Sequence, residues 1–335
     1  MAMGDRVVVI GGGSWGTTVA HLCAWHAPTT LHSRRPEVVE AINERHENPR
    51  YLAGYELHPE LVATGDLDGA VADADVVVLG VPSRGYRDTL AEIRPHVQPS
   101  APIVSLAKGL EPSTELRMTQ VIAEELPNHP VGLLTGPNLA KEVLDGFAAA
   151  AVVAFPDLSM AERVQPIFSS PVFRVYTSDD VIGCEMGGAL KNVIAIASGM
   201  ADGVGAGDNT RAMVITRGLA ELTRLGVAMG GRPETFAGLA GMGDLVATCI
   251  SPQSRNRYVG ERIGQGKTVE EIIEEMDQVA EGIKTAKVVM SLADRYDIDL
   301  PISAEIHRCV AHGQSALEAY RGLVRTPAGT ELSPG

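Results

Sequence analysis

Aromatic residues make up only 4% of the chain, with two Trp and five Phe. Single-stranded nucleic-acid sites are built on stacked aromatic rings, so this scarcity disfavours them. Basic residues are also the minority. Lys and Arg number 28 against 42 Asp and Glu, for a net charge of −14, and a field of that sign repels a phosphodiester backbone. Nucleic acid is therefore excluded as a partner, and an anionic small molecule is admitted only in a locally positive pocket. The four cysteines, Cys23, Cys184, Cys249 and Cys309, form no Cys-x-x-Cys pair, which excludes a disulfide framework or zinc site and fits reduced cytoplasmic thiols. No metal is expected, because no His-Glu-x-x-His or similar cluster is present. Long apolar runs are missing too. The run 7–10 is broken by Gly11, Gly12 and Gly13 before a signal-peptide core forms. No other stretch reaches the roughly 18 to 20 apolar residues of a membrane span, so membrane insertion is not expected.

What is present is a 335-residue chain, 45% hydrophobic and 21% charged, a length that suits two domains of ordinary size. The first half alternates short β-branched runs with helical stretches, the pattern of βαβ units. Strands are predicted at 6–10, 29–32, 75–81, 102–107, 131–135, 149–155 and 172–176, mostly apolar as in a sheet covered on both faces. After Thr177-Ser-Asp-Asp180 the apolar spacing becomes three and four, as in 213–225 and 268–276. The expected fold class is α/β: a Rossmann-like, mostly parallel doubly wound sheet over 1–179, followed by an all-α C-terminal domain over 180–325. Residues 326–335 read as a disordered tail.

Directly after the first strand comes Gly11-Gly-Gly13-Ser14-Trp15-Gly16, with a helical pattern behind it. This is Gly-x-Gly-x-x-Gly in the strand, turn and helix context of a dinucleotide site. The first glycine allows the tight turn, the second lets backbone approach the pyrophosphate, and the third lets helix pack on strand. The helix N-terminus adds positive potential. Where an NAD-selective site carries an acid after the second strand, this chain has Ser33-Arg34-Arg35. Two guanidiniums there suit the 2′-phosphate of NADPH, making NADPH/NADP the preferred cofactor over NADH/NAD.

In open α/β sheets the ligand lies outside the carboxyl ends of the strands. Lys108-Gly109 and Gly136-Pro137-Asn138 follow predicted strands there, as does Pro82-Ser83. In the second half, Lys191 sits in Glu185-Met-Gly-Gly-Ala-Leu-Lys191-Asn192-Val-Ile-Ala, with Gly187, Gly188, Ile194 and Ala195 as its helical neighbours. Lysine is almost never fully buried without a partner, and desolvation moves its pKa toward the range used in proton transfer. Asp244, flanked by glycine in Gly241-Met-Gly-Asp244-Leu-Val-Ala-Thr248, suits a place beside that ammonium, although an acid after glycine also suits a helix cap. Ser254-Arg255-Asn256 opens a helix where hydroxyl, guanidinium, amide and N–H groups converge on a phosphate or simply cap a surface turn. Val279-Ala-Glu281-Gly282 places an acid before a further helix.

In order along the chain, Gly-x-Gly-Ser-Trp-Gly-Thr, Ala-Lys108-Gly, Gly136-Pro-Asn-Leu-Ala140-Lys-Glu, Gly-Gly-Ala-Leu-Lys191-Asn192, Gly-Asp-Asn209-Thr, Gly-x-Gly-Asp244-Leu and Ser254-Arg-Asn256 closely resemble the bacterial NAD(P)-dependent glycerol-3-phosphate dehydrogenases, from about residue 6 to about residue 320. The resemblance implies reversible hydride transfer between NAD(P)H and dihydroxyacetone phosphate, giving sn-glycerol 3-phosphate for phospholipid synthesis. It makes Lys191 the proton-transferring residue, with Lys108 and Asp244 in support. Asn192, Thr248, Ser254, Arg255 and Asn256 become the substrate cradle, with Gly136 and Asn138 beside it. Ser14, Trp15, Arg34, Arg35, Lys108, Ala140, Arg255, Val279 and Glu281 become cofactor contacts with Gly11, Gly13 and Gly16, and Tyr51 a further candidate. Asn138 stands where many relatives carry Ser, and His32 where many carry Trp. The rival readings are another NADPH-dependent carbonyl reductase of the same two-domain architecture and a non-catalytic NADPH sensor. The apolar helical half suits a homodimer.

Overall fold

The computed structural model describes residues 5–276 and 280–325. The chain divides into two compact units, 1–185 and 186–335. Val279 and the tail 326–335 lie outside the described residues.

In the first unit, strands β1 (Val7–Ile10), β2 (Thr29–His32), β3 (Val62–Thr64), β4 (Val76–Leu79), β5 (Ile103–Ser105), β6 (Val131–Thr135), β7 (Ala149–Ala154) and β8 (Phe173–Ser178) form one sheet in the order β3-β2-β1-β4-β5-β6-β7-β8. All neighbours pair in parallel except β6 with β7. Helices α1 (Ser14–Ala24), α2 (Pro36–Arg45), α3 (Leu67–Ala72), α4 (Tyr86–Ile93), α5 (Met118–Glu125), α6 (Ala140–Leu144) and α7 (Leu158–Phe168) intervene. The run of valines in β1 is apolar without alternation because both faces are covered: Val7 and Val9 enter one core cluster, Val8 and Ile10 the other. The order reverses between β1 and β4, which opens the crevice at their carboxyl ends.

The expected strands are present, 29–32 and 131–135 with the predicted ends and the others with ends that shift by one or two residues. The sequence reading missed β3. It is three residues long, ends the sheet, and leaves Val62 54% exposed, too little to mark a buried run. At the other edge, Gln165 Nε2 donates to Val175 O at 2.6 Å, and Ser170 exchanges backbone bonds with Phe173, closing groups that would otherwise pair with another chain.

Helix α8 (Val181–Gly203) begins in the first unit and continues into the second. It corrects one expectation: by length and composition its 23 residues are apolar enough to cross a membrane, yet 94% of the apolar window is buried within the protein. Glu185 and Lys191 divide its apolar run, and each has a partner. The Glu185 carboxylate accepts from Thr119 N and Arg117 Nη1, both at 2.9 Å, and from Thr119 Oγ1 at 2.5 Å, capping α5.

The second unit continues with α9 (Asp208–Ala228), α10 (Pro233–Ala237), a π-helical turn (Leu239–Gly243), α11 (Asp244–Ile250), α12 (Arg255–Gly264), α13 (Val269–Glu274), α14 (Glu281–Tyr296), α15 (Pro301–His312) and α16 (Ala316–Arg325). Asp297, at φ 52°, ends α14, and Pro301 starts α15.

The N-terminus of α15 is capped by Glu221 of α9, which accepts from Ile302 N at 2.5 Å, Ser303 N at 3.0 Å and Ser303 Oγ at 2.8 Å. Burial pushes this carboxyl from 4.5 to about 7, against the lowering effect of those bonds. A raised carboxyl favours the folded state while protonated, so its contribution is whole below the ordinary value and is lost as pH rises through about 7. Glu221→Gln should therefore flatten the fall in thermal midpoint between about pH 5 and about pH 8.5. Equal slopes for the variant and the parent chain would refute this.

Candidate active site

The first unit builds a nucleotide cradle. Gly11 adopts φ +121°, where a Cβ would stand 2.7 Å from the Gly80 backbone, and a Cβ on Gly16 would lie 2.1 Å from Gly11 O. Those two positions are closed to any side chain. A Cβ on Gly13 would meet nothing within 4 Å, so the space over the second glycine is open. Gly13 is the N-cap of α1, and no side chain caps its first turn, so the turn presents N–H groups as an anion site does. These residues fit a dinucleotide pyrophosphate. Ser14 and Trp15 begin α1, with Ser14 Oγ 3.5 Å from Tyr51 O.

After β2, Ser33 is buried against Gly12 and its Oγ accepts from Arg35 N at 3.3 Å. The side chains of Arg34 and Arg35 are exposed, and Arg35 lies 3.5 Å from Glu37, an exposed pair of little energetic weight. Burial lowers the His32 imidazole below its usual range. At the ends of β5 and β6, Lys108 Nζ donates to Gly136 O at 2.7 Å. Gly136, at φ +137°, brings its backbone against Ala150 and Ala151. With its amide turned so that the nitrogen faces the two carbonyls, Asn138 donates to Pro137 O at 3.2 Å and Ala150 O at 3.3 Å. Ala140 is the first residue of α6 and is half-buried.

The second unit buries a lysine–carboxylate pair. Lys191 is 5% exposed; its Nζ pairs with Asp244 Oδ1 and donates to Thr248 Oγ1 at 2.6 Å. Thr248 Oγ1 passes its own hydrogen to Asp244 O at 2.6 Å. Asp244 and Thr248 are one turn apart on α11, so both face the ammonium. Asp244 is the first residue of its helix and its carboxylate pairs with Lys191. Glycines bring these elements together. A Cβ on Gly187, one turn before Lys191, would lie 2.5 Å from Ala240 O in the π-helical turn that leads into Asp244. Such turns often sit at functional sites.

Beside this centre, Asn256 Nδ2 donates to Asn192 Oδ1 at 2.9 Å, and Asn256 Oδ1 accepts from Gly282 N at 2.9 Å. That ties the residue after Lys191 to the first turns of α12 and α14, where Glu281 is half-buried. Ser254 caps α12 through its Oγ, 3.2 Å from Arg257 N, and Arg255 is exposed at the first helical position. Helices α8 and α12 cross at two glycine pairs: a Cβ on Gly199 would lie 2.0 Å from Arg257 O, on Gly203 2.2 Å from Glu261 O, on Gly260 1.9 Å from Ile196 O and on Gly264 2.6 Å from Met200 O.

The description "NAD-dependent glycerol-3-phosphate dehydrogenase N-terminus" matches residues 6–161, and the C-terminus model of the same name matches 180–321. The chain belongs to the NAD-dependent glycerol-3-phosphate dehydrogenase family. It is 54% identical to glycerol-3-phosphate dehydrogenase (NAD(P)+) 2 of Sphingopyxis alaskensis, over 98% of this chain and 99% of the relative. It is 53% identical to glycerol-3-phosphate dehydrogenase (NAD(P)+) of Mycobacterium avium, over 98% and 96%. The crystal structure of glycerol-3-phosphate dehydrogenase from Coxiella burnetii matches with a TM-score of 0.91 at 33% identity, over 96% of this chain and 99% of that one.

Two features of this family member escape a reading of its sequence. Asn48 is fully buried and donates to Gly12 O at 3.0 Å and Thr17 Oγ1 at 2.9 Å, while its Oδ1 stands 3.4 Å from Tyr51 N. It thus braces the glycine turn against the Tyr51 loop; the only sequence signal is one polar residue before a proline. The glycine crossing is the other, because Gly199-x-x-x-Gly203 and Gly260-x-x-x-Gly264 become a motif only once α8 and α12 are known to meet. Cys249, near Lys191, is pushed up to about 12 by burial and is no nucleophile at neutral pH.

Proposed function

We propose that this chain interconverts dihydroxyacetone phosphate and sn-glycerol 3-phosphate, with NADPH as its preferred reductant and NADH as the alternative. The observation that carries this reading is the buried Lys191 ammonium held by Asp244 and Thr248. When bound, the nicotinamide cofactor supplies or accepts the hydride. Lys191 Nζ gives a proton to the ketone oxygen during reduction and takes one from the hydroxyl during oxidation. Asp244 and Thr248 fix Nζ in place, so little reorganisation accompanies the transfer. Arg255, with Ser254, Asn256 and Asn192, takes the substrate phosphate, giving local positive charge in a chain of −14. Lys108, Gly136 and Asn138 are assigned to the substrate. Gly11, Gly13, Ser14, Trp15, Gly16, Arg34, Arg35, Tyr51 and Ala140 are assigned to the cofactor, with further contacts from Lys108, Arg255, Val279 and Glu281. The enzyme would act in the cytoplasm as a homodimer and supply phospholipid synthesis.

The experiment follows oxidation of NADPH by its nicotinamide absorbance with dihydroxyacetone phosphate and identifies the product. Formation of sn-glycerol 3-phosphate supports the reading; NADPH binding without turnover rejects it in favour of another carbonyl substrate or the sensor. Replacing both Arg34 and Arg35 by Ala should raise the KM for NADPH about 10- to 100-fold and leave that for NADH within about threefold, the loss expected of charge-assisted bonds to one phosphate. Equal losses with both cofactors would remove these arginines from the 2′-phosphate.

A further inference from the structure

Asp202 sits in the last turn of α8, where an acid opposes the helix dipole. Its side chain is only 8% exposed. A carboxylate in such a place needs partners, and two arginines supply them. Arg211 Nε donates to Oδ1 at 2.9 Å and its Nη2 lies 2.6 Å from the same atom, while Arg257 Nη2 stands 2.7 Å from Oδ2. Each arginine belongs to the first turn of a different helix. Arg211 follows Asp208, Asn209 and Thr210 at the start of α9. Arg257 follows Ser254, Arg255 and Asn256 at the start of α12, where its backbone N–H is also bound by Ser254 Oγ. Arg257 O abuts Gly199 of α8 as well, so backbone contact and the ion pair hold the same turn.

We propose that Asp202 is the positioning residue for the phosphate end of the substrate site, clamping the opening turns of α9 and α12 so that Ser254, Arg255 and Asn256 face the phosphate. This rests on the reading that α12 takes that phosphate. Asp202 also engages Arg257 and Arg211, which fixes where the positive charge around the site is presented. Asp202 touches no substrate; it acts through the two arginines.

The test compares Asp202→Asn with the parent chain, using dihydroxyacetone phosphate and unphosphorylated dihydroxyacetone. The variant should raise the KM for the phosphorylated substrate about tenfold, with kcat and the KM for NADPH within about threefold, from loss of a charge-assisted contact at the cradle. Its kcat/KM for dihydroxyacetone should stay within about threefold, and Asp202→Glu should recover part of the loss. A general loss of structure would lower both substrates alike, and that outcome overturns the proposal. An unchanged or lowered KM for the phosphate substrate overturns it too. Arg255→Ala separates the two levels: if it raises the KM for the phosphate substrate while Asp202→Asn does not, only the clamp fails. If neither does, the cradle reading itself fails.

Discussion

Lys191→Ala is expected to lower turnover of dihydroxyacetone phosphate about 10³- to 10⁴-fold, the scale of a lost general acid, while the affinity for NADPH stays within about threefold. The nucleotide cradle belongs to the other unit. The substitution also removes the ammonium paired with Asp244, which is 2% exposed. Breaking a buried pair from one side costs about 3 to 5 kcal/mol, so inactivity alone would be ambiguous. A Lys191→Met, Asp244→Asn double variant resolves it by removing both charges at similar volume. It should regain most of the lost stability and none of the turnover, measured by thermal denaturation and initial rates. Recovery of turnover together with stability would show that Lys191 is structural and that another group moves the proton.

Gly260→Ala should be the most damaging change of a single methyl group. Its Cβ would sit 1.9 Å from Ile196 O and 2.8 Å from Met200 N, which are backbone atoms of α8 and cannot rotate away as a side chain would. Relief requires α8 and α12 to separate, at a cost of about 3 kcal/mol or more. For a unit of this size the thermal midpoint should fall by roughly 6 to 12 °C. Gly85→Ala is the matched control, since a Cβ there meets nothing within 4 Å and φ is −104°. It should stay within about 0.5 kcal/mol of the parent. Separation of the helices would also pull Asn256 from Asn192, so residual Gly260→Ala activity should show a raised KM for the phosphate substrate. Similar midpoints for the two alanine variants would refute the tight crossing.

Much of this arrangement was legible before any coordinates. Strands β1, β2 and β6 were readable because short β-branched or apolar runs end at glycine, proline or polar residues. Burial of Lys191 was readable because small and apolar residues surround it at helical spacing, and the helix at Ser254 because Ser is a strong N-cap. What was hidden depends on partners far apart in sequence. Asp244 beside glycine fitted a cap as well as an ion pair, and only the approach of Gly187 to Ala240 decides between them. Asn48 gave no periodic signal because its bonds run to Gly12 and Thr17, on another element. Helix α8 departs from the expectation that no stretch matches a membrane span, because Glu185 and Lys191 interrupt its apolar residues without lowering its mean hydropathy enough. The same two residues show why it belongs in a protein core: each finds a partner there.

In the proposed function the second unit reduces a ketone carrying a phosphate, with Lys191 as acid and α12 as anion cradle. The most direct measurement is kcat/KM for dihydroxyacetone phosphate against unphosphorylated dihydroxyacetone, with NADPH saturating. A ratio of about 10³ or more is expected, because several charge-assisted bonds to the phosphate are lost together. A ratio near one would exclude this function for α12, since Ser254, Arg255 and Asn256 would then have no anion to hold.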